Sequence, residues 1–101
     1  MSSSAPEIRT AAAQSVSVTD DALIVELVDG RTVSVPLAWY PRLLHGTTDE
    51  RSDFQLTGRG EGIHWPALDE DISVSGILAG HPSGEAPESL RRWLESREKT
   101  S

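Results

Sequence analysis

Two β-prone runs on either side of an Asp-Gly pair constrain the fold of this chain more than any other feature. The first run covers residues 23–28, the second covers residues 31–35, and Asp29 and Gly30 stand between them. Runs of this kind around Asp-Gly are a strong signal for two antiparallel strands joined by a tight turn. The sequence therefore predicts a β-hairpin here.

The spacing of the apolar residues also predicts the length of the hairpin loop. The apolar residues that share a face are all odd-numbered: Leu23, Val25, Leu27, Val33 and Val35. Facing residues in a hairpin have a constant sum of residue numbers, so both sets lie on one side of the sheet only if the loop length is odd. We therefore expect a three-residue loop with Gly30 in the left-handed conformation.

Helix signals follow the hairpin. Pro41 suits the first turn of a short helix that Gly46 ends. Thr47 and Glu50 match a capping box, in which each side chain bonds the backbone N–H of the other, and this pattern predicts a second short helix. Strands are predicted at residues 54–57 and 63–65, and a third helix with Ser73 as its N-cap.

We predict one α+β domain: an antiparallel sheet of four or five short strands packed with three or four short helices. Residues 1–14, rich in Ser and Ala, are expected to be a disordered tail. The domain spans residues 15–80, a polar linker follows at residues 81–87, and residues 88–101 form a C-terminal helix and tail. That helix carries a narrow apolar stripe, and we expect the stripe to pack on its own domain.

Charge narrows the classes of function. The chain has 101 residues, with 16 acidic residues against 9 basic ones and a formal net charge of −7. A field of this sign repels phosphate backbones, so we expect no direct binding to nucleic acid. The same field favours encounter with a basic partner protein, although acidity that only maintains solubility is the alternative.

Composition also bears on the compartment. Cysteine is absent, which excludes disulfides and thiolate metal sites and is typical of the reducing cytoplasm. Neither a secretory signal nor a membrane span is visible in the sequence. We therefore expect a cytoplasmic protein that does not contact a membrane.

The segment from Gly60 to Ile72 concentrates the residues that could carry chemistry. His64, Asp69 and Asp71 could form a ligand-binding site or an acid–base pair. However, the segment has neither a two-histidine helix pair nor the spacing of a calcium loop, so we predict no metal and no cofactor. A small enzyme or ligand-binding protein that uses His64 with Asp69 or Asp71 is the alternative.

A structural interpretation competes for the same segment. The three acids at residues 69–71 precede the predicted helix, where the helix dipole stabilises negative charge. His64 and Trp65 are neighbours in a predicted strand, so their side chains point to opposite faces. On this interpretation the segment is a junction between a strand and a helix.

Aromatic residues indicate an interaction surface. Trp39, Tyr40 and Trp93 are predicted in short helices, and such side chains serve both as core fillers and as interface anchors. We name these three as candidate interaction residues. A homodimer formed through an exposed sheet edge is a further alternative.

Three stretches carry a resemblance to a known family. They are VxLxDGR at residues 25–31, PLAWYPRL at residues 36–43, and GIHWPxLDEDIS at residues 62–73, followed by LxG at residues 78–80. On these residues the chain resembles the bacterial domain-of-unknown-function family 2442 (DUF2442). The C-terminal SLxxWL at residues 89–94 fits one subgroup.

The resemblance implies a small α+β fold but no catalytic residues. Some members are fused to a helix-turn-helix domain, and many are encoded beside another small uncharacterised protein, a pairing similar to toxin–antitoxin modules. We therefore predict a non-catalytic protein-interaction module, the antitoxin-like and acidic member of such a pair, with a small basic protein as its partner. A partner-dependent transcriptional regulator is a further alternative.

Overall fold

The computed structural model describes residues 11–100, which form two three-stranded antiparallel sheets and four helices around one core. In the first sheet the strands follow chain order: β1 (Ala13–Val18), β2 (Ala22–Leu27) and β3 (Thr32–Pro36). The second sheet repeats this arrangement: β4 (Gln55–Thr57), β5 (Gly62–Trp65) and β6 (Glu70–Ser73). Every strand therefore pairs only with strands that are next to it in the sequence.

The β2–β3 hairpin confirms the predicted register. Leu23 faces Val35 and Val25 faces Val33, while the N–H of Leu27 donates to the carbonyl of Arg31. Three residues therefore form the loop, and Gly30 closes it with a φ of 97°. The apolar faces of the two strands lie on the same side, as the odd numbering requires.

The prediction of a single sheet with four or five strands was wrong, because the described residues form six strands in two sheets. The strand that the sequence did not reveal is β6, which pairs with β5 from Ser73 opposite Gly62 to Glu70 opposite Trp65. Its acidic residues were assigned to the start of a helix. The actual α-helix begins at Val74, so the helix dipole does not explain the position of the acids.

The structure contains helices at the positions where the sequence predicts them. The helices are α1 (Pro41–Leu44), α2 (Thr48–Ser52), α3 (Val74–Leu78) and α4 (Pro87–Thr100). The capping box at Thr47 is complete, because its hydroxyl accepts from the Glu50 N–H and the Glu50 carboxylate accepts from the Thr47 N–H. Ser73 caps α3 by accepting from the N–H of Gly76. Single 3₁₀ turns lie at Leu37–Trp39, Gly58–Gly60 and Pro66–Leu68.

One apolar core joins the two sheets. Its fully buried members come from both sheets, the turns and the helices: Leu23, Val25, Leu37, Leu43, Ile63, Trp65, Leu68 and Val74. The close approach of the second sheet to β1 depends on Gly60, where an added Cβ would lie 2.7 Å from the backbone oxygen of Ala13. The sheets are therefore packed as parts of one domain.

Both ends of the chain differ in detail from the prediction. Residues 1–14 were expected to form a tail. Residues 1–10 lie outside the described part of the chain, and β1 already begins at Ala13. The C-terminal helix begins at Pro87 and not at residue 88. Among the described residues, no helix combines the length and the apolar character that a bilayer crossing needs.

Candidate functional site

The structure brings together two of the three residues of the predicted acid–base site. His64 and Asp71 face each other across β5 and β6, and His64 Nδ1 lies 2.8 Å from Asp71 Oδ1. Their side chains are 30% and 74% exposed, so the pair lies on the open outer face of the second sheet. Trp65 is fully buried on the inner face, which confirms that it and His64 point in opposite directions.

Asp69 is oriented differently. It adopts the left-handed conformation, with a φ of 51°, after the 3₁₀ turn that joins β5 to β6. Its carboxylate is mostly exposed and lies 3.8 Å from the guanidinium of Arg42. Asp69 therefore contacts Arg42 of α1, and the pair on the outer face consists of His64 and Asp71.

The three aromatic candidates lie in different environments. Tyr40 is buried in the core and its hydroxyl donates to the carbonyl of His81, so it does not offer a surface to a partner. Trp39 is half-buried and packs against the core. Two guanidinium groups lie over the ring of Trp93, that of Arg42 at 4.8 Å and that of Arg97 at 4.6 Å from the ring centroid.

Trp93 is thus part of a charged junction that holds α4 on the domain. Arg42 donates to both carboxylate oxygens of Glu85 and to the carbonyl of Leu68. This ion pair raises the pKa of Arg42 and lowers the pKa of Glu85, because each charged form is hydrogen-bonded by the other. Of the apolar stripe, Trp93 packs against the core of the domain, with ion pairs around it.

Glu70 is a carboxyl group that the sequence did not single out. It shares the inner face of the second sheet with Trp65 and lies beside a cleft of about 240 Å³ that Tyr40, His81 and Ser83 also line. Burial raises its pKa to about 7, and the negative charge of Glu85 adds to the rise. The sequence signal that could have identified Glu70 as partly buried is its position in a strand, two residues before the buried Ile72.

A second cavity lies at the β1 edge of the first sheet, between β1 and α2. We call it the β1 groove, and its volume is about 380 Å³. Its lining combines half-buried apolar side chains with polar ones: Val16, Val18, Asp20, Thr48, Arg51 and Phe54. Arg51 is largely turned inward, because its guanidinium donates to the carbonyls of Leu43 and Leu44. The carboxylate of Asp20 is fully exposed at the rim and lies 3.8 Å from the guanidinium of Arg51.

Among the described residues, no group of three or more histidine, aspartate or glutamate side chains has the arrangement of a metal site.

The β1 groove could not be predicted from the sequence because its walls come from both halves of the chain. Val18 and Phe54, for example, are separated by the whole β2–β3 hairpin and two helices. No pattern among residues close in the sequence predicts that Val18 and Phe54 line one cavity.

Comparison with known proteins decides the family. The sequence profile described as "Protein of unknown function (DUF2442)" matches residues 13–83. The chain belongs to the DUF2442 family. A comparison with curated proteins finds no match.

Two solved structures are similar to this DUF2442 chain. A protein of unknown function from Rhodospirillum rubrum is 27% identical, with a TM-score of 0.66 over 78% of this chain and 98% of that one. The uncharacterized protein CV0863 from Chromobacterium violaceum is 16% identical, with a TM-score of 0.65 over 86% of this chain and 80% of that one. The second likeness shows the fold alone.

The DUF2442 match includes both sheets and ends before the C-terminal helix. Both sheets, α1, α2 and α3 lie within residues 13–83, and so does the β1 groove. Helix α4, which begins at Pro87, lies beyond the match. Any function common to DUF2442 chains therefore belongs to the two-sheet domain, and the family description assigns that domain no activity.

Proposed function

We propose that this DUF2442 chain is a non-catalytic protein-interaction module and that the β1 groove is its binding surface. The observation that carries the proposal is the combination of half-buried Val16, Val18 and Phe54 with the exposed carboxylate of Asp20 at the rim. Interfaces commonly combine an apolar centre with a polar rim that steers the partner. A groove of this kind accepts a side chain or a short segment of another protein.

The charge of the chain specifies the partner further. With a net charge of −7, the chain attracts a basic protein and repels an acidic one. We propose that the partner is a small basic protein and that the chain is the acidic, antitoxin-like member of a two-protein system in the cytoplasm. The encoded neighbours of DUF2442 proteins are the first candidates for that partner.

Co-expression with the product of the adjacent gene tests this proposal. We expect one complex in size-exclusion chromatography, weaker association at high salt, and relief of any growth defect that the partner causes alone. The matched comparison is the partner expressed with a chain that carries Asp20→Lys. Separate elution of the two wild-type proteins, together with no effect on growth, would refute the pairing.

A second candidate function rests on the 2.8 Å contact between His64 and Asp71. With the proton on Nδ1, the imidazole donates to Asp71 and its Nε2 can accept a proton or bind a ligand. Among the described residues no hydrogen bond to Nε2 is present. The pair could therefore act as a general base towards a ligand on the outer face of the second sheet.

Hydrolysis of an activated ester, p-nitrophenyl acetate, tests the second candidate. If His64 is an activated base, His64→Gln lowers the rate by more than His45→Gln, which removes an exposed histidine at the end of α1. Asp71→Asn should lower it as well, because the imidazole loses its orienting partner. Equal rates for these variants would leave the pair with a structural role in the sheet.

A further inference from the structure

The backbone of β1 has hydrogen-bonding groups that point away from the first sheet. The N–H of Thr19 donates to the carbonyl of Ala22, which makes these residues a hydrogen-bonded pair of the β1–β2 ladder. Such pairs alternate with non-bonded pairs along an antiparallel ladder, so Ser17 also bonds to β2. Val16 and Val18 therefore direct their N–H and C=O groups outwards, where no other strand pairs with them in the described part of the chain.

The outer edge of β1 lacks the features that protect the other edges. β3 ends in Pro36, β4 has only three residues, and β6 carries the charges of Glu70 and Asp71. Proline, short length and charge all discourage pairing with a further strand. β1 has six residues, and alanine, glutamine, serine and valine are its only residue types. Its one irregularity is a register shift near its start, between Ala13 and Ser15. Among the strand edges of residues 11–100, the stretch of β1 from Val16 to Val18 is therefore the one to which an additional strand is least hindered.

The β1 groove runs along this same edge. An added strand would lie about 4.8 Å from β1, on the side where α2 and Phe54 form the opposite wall. Its alternate side chains would then contact Val16, Val18 and Phe54, which supply an apolar surface. The fully exposed carboxylate of Asp20 marks one end of the path. It lies 3.8 Å from the guanidinium of Arg51, which also donates to two carbonyl groups, so a basic residue of the partner would share Asp20 with Arg51.

We infer that the partner binds by strand addition: an extended segment with alternating aliphatic and basic residues pairs with the outer edge of β1. The aliphatic side chains enter the β1 groove, and a Lys or Arg side chain pairs with Asp20. The inference rests on the proposed function and specifies how the basic partner is recognised. The net charge of −7 favours this occupant over a second copy of the chain, because two such copies repel each other.

The probe for this inference is a capped peptide of alternating lysine and valine residues, added to the full-length chain at millimolar concentration. Amide NMR signals of Val16 and Val18 should shift and gain protection from hydrogen exchange, since their N–H groups acquire acceptors. A peptide with glutamate in place of lysine should bind at least about tenfold more weakly.

Two matched pairs of variants test the edge and the rim separately. Val16→Pro removes an outward donor and leaves the bonds to β2 in place, so it should abolish binding, whereas Val16→Ala removes apolar atoms and keeps the donor. Asp20→Lys should weaken binding about tenfold. Asp29→Lys makes the same change of charge at the opposite end of β2 and should have little effect.

The outcomes separate this inference from the proposed function. A basic partner that binds equally well to wild type, Val16→Pro and Asp20→Lys would overturn strand addition and the β1 groove as the binding surface, while binding of a basic partner would stand. Peptide-induced shifts outside β1 and α2, an absence of shifts, or a concentration-dependent dimer that occupies the β1 edge would also overturn the inference. Failure of the proposed function would instead appear as the absence of any protein partner.

Discussion

At the scale of single residues, Glu70 makes the stability of the fold depend on pH. Its pKa of about 7 in the folded chain lies above the ordinary value of 4.5. As the pH rises, the unfolded chain therefore releases this proton first, and the folded state loses stability between about pH 4.5 and pH 7. Partial exposure of the side chain limits the loss to about 1 kcal/mol.

Glu70→Gln removes this dependence because glutamine has the same shape and no charge. We expect the variant to be more stable than wild type by about 1 kcal/mol at pH 8, with a smaller difference at pH 5. Urea denaturation at both pH values measures the effect. Glu61→Gln, at an exposed position, is the control and should change little at either pH. An equal response of the two variants would contradict the burial of the Glu70 charge.

Two glycines should differ in their tolerance of alanine. Gly30 and Gly60 both have positive φ, but an added Cβ meets nothing within 4 Å at Gly30 and meets the Ala13 oxygen at 2.7 Å at Gly60. Gly30→Ala should cost about 1 kcal/mol from backbone strain alone, and Gly60→Ala at least about 2 kcal/mol. Chemical denaturation provides the comparison, with Gly84→Ala as a near-neutral control. A smaller loss at Gly60 would mean that the two sheets can move apart there.

At the scale of elements, helix α4 is held mainly by side chains that reach across a charged junction. Arg97 pairs with Glu50 of α2 at 2.8 Å, and this contact lowers the pKa of Glu50 to about 2. Because the folded-state pKa is depressed, the contribution of the pair is present above about pH 4.5 and is lost as the pH falls towards 2. The junction is therefore expected to open in acid before the core does.

A double-mutant cycle with Glu50→Gln and Arg97→Gln measures this contribution. We expect a coupling of roughly 0.5–1 kcal/mol at pH 7 and a smaller value at pH 3, because both side chains are partly exposed. The matched control is the pair Arg91–Glu95 within α4, which is 3.7 Å apart and more exposed. Its coupling should be lower, about 0.3 kcal/mol. A stronger coupling in the control pair would argue against docking through Arg97.

Local signals predicted the elements well where the determining contacts are near in sequence. The odd-numbered apolar residues specified the register of the hairpin, and Thr47 with Glu50 specified the start of α2. β6 was missed because Glu70 and Asp71 hide its alternation: only Ile72 is both apolar and buried. The contact between His64 and Asp71 depends on the pairing of β5 with that strand, so it could not be predicted as an established pair.

At the scale of the whole molecule, α4 is an addition to a domain that is complete without it. All buried core residues in the described part of the chain lie between Ala13 and Ile77. A chain that ends at residue 86 keeps the Arg42–Glu85 pair and loses Trp93 and Arg97. We expect it to fold, with a stability lower by about 1–3 kcal/mol from lost packing and one ion pair.

Circular dichroism and urea denaturation of this shortened chain test the expectation. The strand signal should persist and unfolding should stay cooperative, with a lower midpoint. Trp93→Ala in the full chain is the companion variant and should account for a large part of the loss. A shortened chain without cooperative unfolding would show that α4 is essential to the domain.

The separation of the strands into two sequential triplets has a consequence for how the chain folds. Because every sheet contact joins neighbouring strands, only short loops must close before each sheet forms. During synthesis the first triplet can assemble while the second is still in the ribosome. The apolar face formed by Leu23, Val25 and Leu27 then stays open to water until Ile63 and Trp65 arrive. That interval is when the nascent chain is most exposed to aggregation.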